Sequence, residues 1–280
     1  MGKNAHYWTN RSPRAEQAVR HTEDMAQRYA DDITACVSNT RLYDGTNFTR
    51  TNEPTGSIIQ PKVWQATTDG ALFTASDGTG PKTALLNFAS YKNPGGMFIE
   101  GSMAQEEAIC HKSFLYNVLS APELASYYEW NNKHLNKGLY LDRALYTPGV
   151  VFEAEDGGIT RACRADVLTC AAPNNSMPFN VPGIFSEDQN REALHQRICF
   201  VRDILLSEHV DRAILGAWGC GVFSQDPAYV SKTFMEEFRN SGIECIYAVP
   251  DIKTFSVFET ALSNELAIEG NILSAGEEER

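Results

Sequence analysis

Short apolar runs alternate with amphipathic stretches along most of this chain. That alternation restricts it to a sheet with helices packed on its faces and a substantial parallel component. The clearest run is Ala84-Leu85-Leu86-Asn87-Phe88-Ala89, nearly continuous in apolar residues, as a strand covered on both faces must be. Lys62–Thr67, Val150–Glu153, Asp166–Ala171, Arg212–Trp218 and Ile243–Val249 are the other predicted strands. Between them lie helices with recognisable ends. Ser12 and Pro13 open a helix over residues 12–38, serine as cap and proline at the first helical position. A second helix is expected from about Ala104 to Leu119. Ser186 with Gln189 forms a capping-box pattern before Leu194, Ile198, Val201 and Leu205, which share one helix face. Asp226 and Pro227 start another helix, which Gly242 ends. Residues 44–60 are predicted to be loop, Ser76–Pro81 a turn, and Asp69 is placed to cap a short helix.

No internal repeat and no linker interrupt the 280 residues, so a single domain is expected. Residues 1–60 form its helical extension and loop, 61–262 its α/β core, and 263–280 a flexible tail. The net charge of −12 excludes proteins that coat duplex nucleic acid or membrane surfaces, because both need a broad basic field. An anionic ligand would have to be gripped locally, by backbone N–H groups. The cysteines are odd in number, seven, and none stand as C-x-x-C, which suggests reduced thiols rather than a disulfide framework or a zinc ribbon. No signal-peptide pattern opens the chain, and no apolar run approaches the roughly 20 residues of a membrane span. An intracellular protein, cytoplasmic or nuclear, is expected.

Two loops have the composition of ligand sites. In the first, the Ala84–Ala89 run leads into Ser90-Tyr91-Lys92-Asn93-Pro94-Gly95-Gly96-Met97 and then into a helix start at Gln105-Glu106-Glu107. Paired glycines permit positive φ and close backbone approach, and a helix N-terminus favours an anion. Adjacent glutamates on a helix point about 100° apart, so they do not share one proton face to face. One of them can orient a hydroxyl while the other transfers a proton. Alone, the pair would equally suit simple complementation of the helix dipole. The second loop, Gly216-Ala217-Trp218-Gly219-Cys220-Gly221-Val222-Phe223, follows an apolar strand. Ligands of open α/β sheets bind at the carboxyl ends of strands, and successive backbone amides can cradle a diphosphate without any cationic side chain.

The run from Leu86 to Glu107, with glycines followed by Gln-Glu-Glu, resembles the signature of poly(ADP-ribose) glycohydrolases. Gly216 to Phe223 resembles the diphosphate loop of their compact, bacterial-type members. The resemblance spans roughly residues 11 to 255. It implies a macrodomain-like mixed sheet flanked by helices, with an N-terminal helical extension. It also implies cleavage of the ribose–ribose bond in ADP-ribose polymers attached to proteins, by a monomer needing neither cofactor nor metal. By position, Glu107 matches the catalytic acid and Glu106 the residue holding the distal ribose hydroxyls. Gly95 and Gly96 match the loop over diphosphate and distal ribose. Gly219, Cys220, Gly221 and Val222 match the opposite diphosphate wall, and Phe223 the aromatic beside the distal ribose. Ser90, Asn93, Met97 and Gln105 are implied as further ligand contacts, and Asp69 as the acceptor of the adenine amino group. Met97 departs from the family, which usually has a third glycine there. Methionine resists positive φ. Either that position needs no glycine conformation, or the ligand geometry here differs.

Four other functions compete. A binding module, or a hydrolase of another ADP-ribose linkage, would share the same loops. Metal chemistry is suggested by Glu107, Cys110 and His111 within one helical turn, but His6, His21, His134, His195 and His209 are scattered along the sequence. A nucleotide dehydrogenase would need a third spaced glycine after Gly219-Cys220-Gly221, and the sequence lacks it.

Overall fold

The computed structural model describes residues 12–49, 56–76, 80–177 and 183–278. Its strands are β1 (Arg41–Asp44), β2 (Lys62–Trp64), β3 (Thr83–Phe88), β4 (Arg143–Asp156), β5 (Ile159–Cys170), β6 (Arg212–Gly216) and β7 (Glu244–Ala248). They form one mixed sheet in the order β1-β4-β5-β3-β6-β7-β2. β5, β3, β6, β7 and β2 run parallel, whereas β4 is antiparallel to both of its neighbours. The carboxyl ends of the parallel strands therefore share one edge, and the loops after β3 and β6 meet there.

The helices are α1 (Pro13–Arg28), α2 (Ala30–Asn39), α3 (Thr68–Ala75), α4 (Gln105–Cys110), α5 (Leu115–Leu119), α6 (Ala125–Lys133), α7 (Glu187–Ser207), α8 (Pro227–Phe238) and α9 (Ile252–Glu278). Period-two alternation divides the strand residues between two cores. Leu85, Val167, Ile214 and Ile246 face the layer of α1 to α6. Leu86, Leu168, Leu215 and Tyr247 face α7, α8 and Phe258 of α9. Both faces are covered, which is why the β3 run carries almost no polar residue.

The expected caps form. Ser12 Oγ accepts from the Ala15 N–H, and Ser186 and Gln189 bond reciprocally as a capping box. Other expectations need correction. The helix expected over 12–38 is two helices, broken at Tyr29, whose hydroxyl donates to Glu153 at 2.6 Å. The predicted 1–60 extension also contributes β1 to the sheet edge. Val150–Glu153 and Asp166–Ala171 are fragments of a long hairpin, β4–β5, which turns at Gly157 and Gly158, both with positive φ. Its outer half is exposed and polar, so no apolar pattern marks it. The helix expected to Leu119 stops at Cys110, where the Ser113 hydroxyl takes the Ile109 carbonyl at 2.7 Å and Ser113 bridges to Phe152. The 263–280 segment expected as tail begins inside α9, and Glu265 there is buried and paired with Arg239. Residues 77–79 of the predicted turn and 50–55 of the predicted loop lie outside the described residues.

Candidate active site

β3 ends at Phe88, and the chain turns through Ser90–Met97 before α4 begins at Gln105. Gln105 fixes that geometry. Its Oε1 accepts from the Phe88 N–H at 2.8 Å, while its Nε2 donates to Leu86 O at 3.0 Å and Thr68 Oγ1 at 3.1 Å. The amide thus straps the helix start to the strand end, although Gln105 also lines the adjoining cleft.

The two glutamates point to different partners, as adjacent helical positions require. Glu106 is only 3% exposed and accepts from the Ser90 N–H at 2.7 Å and Asn87 Nδ2 at 3.1 Å. Burial pushes its carboxyl up to about 8, against the opposing pull of the Ser90 N–H and the Asn87 amide. Asn87 Oδ1 is buried and meets no partner among the described residues, so half a turn of that amide would let it accept from the Glu106 O–H. Glu107 is 5% exposed, and its Oε1 accepts from the Met97 N–H at 2.9 Å. Its Oε2 is buried and meets no hydrogen-bond partner among the described residues. Buried carboxylate oxygens are rarely left so, because the lost solvation goes uncompensated.

The glycines are where sterics demand them. Gly96 has φ +61, and a Cβ there would lie 2.4 Å from Glu107 Oε1 and 3.0 Å from Glu106 Oε2. Gly95 has φ +64, and a Cβ would collide with the Tyr116 ring at 2.6 Å. Met97 has φ −108, an ordinary value for any residue, so no third glycine conformation is needed. Its side chain is 45% exposed. The Ser90 hydroxyl accepts from the Asn93 N–H at 3.1 Å, and Asn93 O accepts from the Gly96 N–H at 3.1 Å, so both residues shape the turn.

Opposite stands the loop after β6. Gly219 has φ +77, and a Cβ would press on Ala172 and Gln225, each at 2.9 Å. Gln225 donates to Pro173 O at 2.7 Å and Asn190 Oδ1 at 2.8 Å, and so braces the loop from behind. Among the described residues, the N–H groups of Gly221, Val222 and Phe223 donate to no backbone carbonyl. Phe223 packs edge-on to Tyr140 at 6.0 Å, and Tyr140 stacks on Tyr91 at 4.2 Å. Asn175 donates its N–H to Phe223 O at 2.8 Å. Trp218 is fully buried, with its indole N–H on Cys170 O at 3.2 Å.

Beside the second loop lies a cleft of about 570 Å³, lined mostly by apolar surface and including Gly219–Phe223. Asp69 lines it from the first turn of α3, whose cap is Thr67 rather than Asp69. The wall includes Gln105 and Ala108 but not Glu106 or Glu107, whose carboxyl groups are held by the Ser90–Met97 turn. The structure therefore brings Asp69, Gln105 and Gly219–Phe223 to one cleft, with the glutamates and the glycine turn beside it. Sequence reasoning missed Val249, Pro250 and Asp251 on the cleft wall, although Val249 ends the predicted Ile243–Val249 strand and the other two follow it. It also missed Asn87 and the Tyr91–Tyr140 stack. Tyr140 sits at φ +60 in a connecting segment, where no pattern marks it. Cys110 is buried and His111 packs against Phe98 at 4.6 Å, so the Glu107–Cys110–His111 triplet forms no metal cluster among the described residues.

The comparisons with known proteins agree with this geometry. A family model described as "Microbial-type PARG, catalytic domain" matches residues 15–153. Poly(ADP-ribose) glycohydrolase from Deinococcus radiodurans, solved in complex with ADP-ribose, is 30% identical, with a TM-score of 0.74. That match covers 83% of this chain and 97% of the other. The chain belongs to the microbial-type poly(ADP-ribose) glycohydrolase family. The Thermomonospora curvata glycohydrolase is similar too, at 28% identity and TM-score 0.78, covering 89% of this chain and 98% of that one. Its complex with the inhibitor ADP-HPD matches with a TM-score of 0.75 at the same identity. No curated protein sequence matches. The mixed sheet expected of this family is the sheet observed.

Proposed function

We propose that this chain hydrolyses the ribose–ribose O-glycosidic bond of protein-attached poly(ADP-ribose), mainly at chain ends, and releases ADP-ribose, with Glu107 as the catalytic acid. The observation that carries this reading is the Glu107 carboxyl group. One oxygen is fixed by the Met97 N–H, while the other is buried and meets no hydrogen-bond partner among the described residues. A group so placed is oriented for proton transfer and awaits the atom it serves. In its acid form Glu107 donates its proton to the departing ribose oxygen as the glycosidic C–O bond breaks. An oxocarbenium-like sugar forms, with the nearby diphosphate to stabilise it. Water then adds to that carbon and returns a proton to Glu107, which restores the acid.

Glu106 holds the distal ribose hydroxyls, and its raised proton affinity lets it act as donor as well as acceptor near neutral pH. The free amides of Gly221, Val222 and Phe223 take the diphosphate, Phe223 packs beside the distal ribose, and Asp69 accepts from the adenine amino group. The 570 Å³ cleft falls within the range of nucleotide-sized sites. Attack at chain ends follows from the net charge of −12, which offers little to hold a polyanion along its length. No helix among the described residues is long and apolar enough to cross a membrane. A monomer acting inside the cell, in cytoplasm or nucleus, fits cysteines that form no disulfide among the described residues.

Glu107→Gln tests the assignment, through polymer turnover measured beside an ADP-ribose titration. Turnover is expected to fall by about 10²–10⁴-fold while ADP-ribose affinity stays within a few-fold. Near wild-type release of ADP-ribose by the variant would refute the role of Glu107. Early release of oligomers by the wild type would refute attack at chain ends.

A further inference from the structure

On the far face of the sheet, α7 and α8 bring together His195, Cys199 and Glu237, whose ligand atoms all lie within 4.8 Å of one another. We propose that this cluster is a structural site for a zinc-class divalent cation. His195 and Cys199 are one helical turn apart on α7 and so share a face, while Glu237 comes from the last turn of α8. His195 Nε2 lies 2.8 Å from Glu237 Oε1, and Cys199 Sγ lies 3.1 Å from Glu237 Oε2. Metal–ligand bonds of about 2.0–2.3 Å need donor atoms a little farther apart than this, a change that small side-chain rotations provide. A nitrogen, a sulfur and an oxygen suit zinc and its borderline neighbours. Calcium and magnesium prefer all-oxygen sites.

The surrounding charges agree. Arg202 donates to Glu237 Oε2, the oxygen that also faces Cys199, and to the Glu237 carbonyl, which holds that carboxylate in place. Arg202 is balanced by buried Asp203 at 2.9 Å. The Arg202–Asp203 pair is neutral, so the Glu237 carboxylate and a Cys199 thiolate together match a doubly charged cation. Binding would release the Cys199 S–H proton to solvent without any redox change. Access is open on one side only: Cys199 is buried, whereas the His195 and Glu237 side chains are 37% and 22% exposed. The fourth position would be left to water.

A clamp here would act on the scaffold behind the ligand loop. Asn190 of α7 and Gln225, just before α8, bond each other at 3.0 and 2.8 Å, and the Gln225 N–H donates to Gly219 O at 3.0 Å. Joining the two helices through a cation would stiffen that support without touching the reacting atoms.

Cobalt(II) is the probe of choice, added to the full chain after dialysis against a chelator. The wild type is expected to bind one equivalent and to show a thiolate-to-cobalt absorption band in the near ultraviolet, with zinc displacing it and raising Tm. Cys199→Ser should lose the band, and His195→Ala should weaken cobalt binding by about tenfold or more. Neither variant should change ADP-ribose affinity beyond about twofold, which also shows that both are folded. Absence of saturable cobalt binding by the wild type would overturn the proposal. So would a band that survives Cys199→Ser, or full cobalt affinity in His195→Ala.

Discussion

The two glycine loops close strands of the same sheet at the same edge, yet they use their backbone amides in opposite ways. After β3, the Ser90 and Met97 N–H groups are committed to Glu106 and Glu107, and the Gly96 N–H to Asn93 O. After β6, the N–H groups of Gly221, Val222 and Phe223 meet no carbonyl among the described residues. Glycine in both loops reports close approach to the backbone, but the partner differs. In the first loop it is the protein's own carboxyl groups. In the second, Gly219 meets Ala172 and Gln225, whereas Gly221 meets nothing within 4 Å. Glycine-rich composition therefore locates a site without saying which loop carries the chemistry, and the residues that need no glycine decide that question.

The contrast breaks most severely at Gly96. Gly96→Ala forces a Cβ to within 2.4 Å of Glu107 Oε1 at positive φ, so the carboxyl group must move. Displacing a catalytic group by about 1 Å costs on the order of 10²-fold, and polymer turnover is expected to drop by at least that much. ADP-ribose binding through the other loop should suffer less, so kcat should fall further than affinity. Equal loss of both would mean that the first loop also carries the diphosphate.

Glu106 offers a second way to sharpen the comparison, through pH. Its folded-state value of about 8 lies above the 4.5 expected when unfolded, so the native protein binds the extra proton between them. The resulting stabilisation is full below about 4.5 and is lost as pH rises through about 8. Glu106→Gln lacks this dependence. Relative to wild type its Tm should therefore rise between about pH 5 and about pH 9, by an amount equivalent to a few kcal/mol. A constant difference in Tm across that range would show that Glu106 stays ionised in the native protein.

In the second loop, two glycines separate support from binding. Gly219→Ala meets Ala172 and Gln225 at 2.9 Å with φ +77, and should lower stability by about 1–2 kcal/mol as well as weakening ADP-ribose. Gly221→Ala meets nothing within 4 Å and has no positive φ, so its stability should stay within about 0.5 kcal/mol of wild type. Any loss of ADP-ribose affinity there reports the ligand itself. Unchanged affinity in Gly221→Ala would place the diphosphate elsewhere.

Much of this was readable from sequence because the relevant signals are local. The β3 run, the Ser186–Gln189 box and the Asp226-Pro227 start each rest on neighbours within a few residues, and each formed as expected. What escaped depended on distant partners. The break at Tyr29 is accompanied by a bond to Glu153, more than a hundred residues away, and the length of β4–β5 by pairing along exposed polar positions. At the site, the Gln-Glu-Glu motif placed Glu106 and Glu107 at a helix start, and they lie in the first turn of α4. Gln105 was expected to touch ligand, and its amide proved to be occupied by Phe88, Leu86 and Thr68. His195 looked isolated because its companions Cys199 and Glu237 meet it only when α7 packs on α8.

The smallest effect belongs to Met97, and it bears on the comparison most directly. The contribution of this residue to the Glu107 geometry is its backbone N–H, which any residue except proline supplies. Its φ of −108 is open to methionine and glycine alike. Met97→Gly should therefore keep polymer turnover within about threefold, and it should lower stability by roughly 0.5–1 kcal/mol through the greater freedom of the unfolded chain. Met97→Pro is the counterpart, since it deletes the N–H and should approach the loss seen in Gly96→Ala. If Met97→Gly changed turnover tenfold with ADP-ribose affinity intact, the exposed thioether itself would be acting on the polymer beyond the scissile bond. The first loop would then be more than a support for its carboxyl groups.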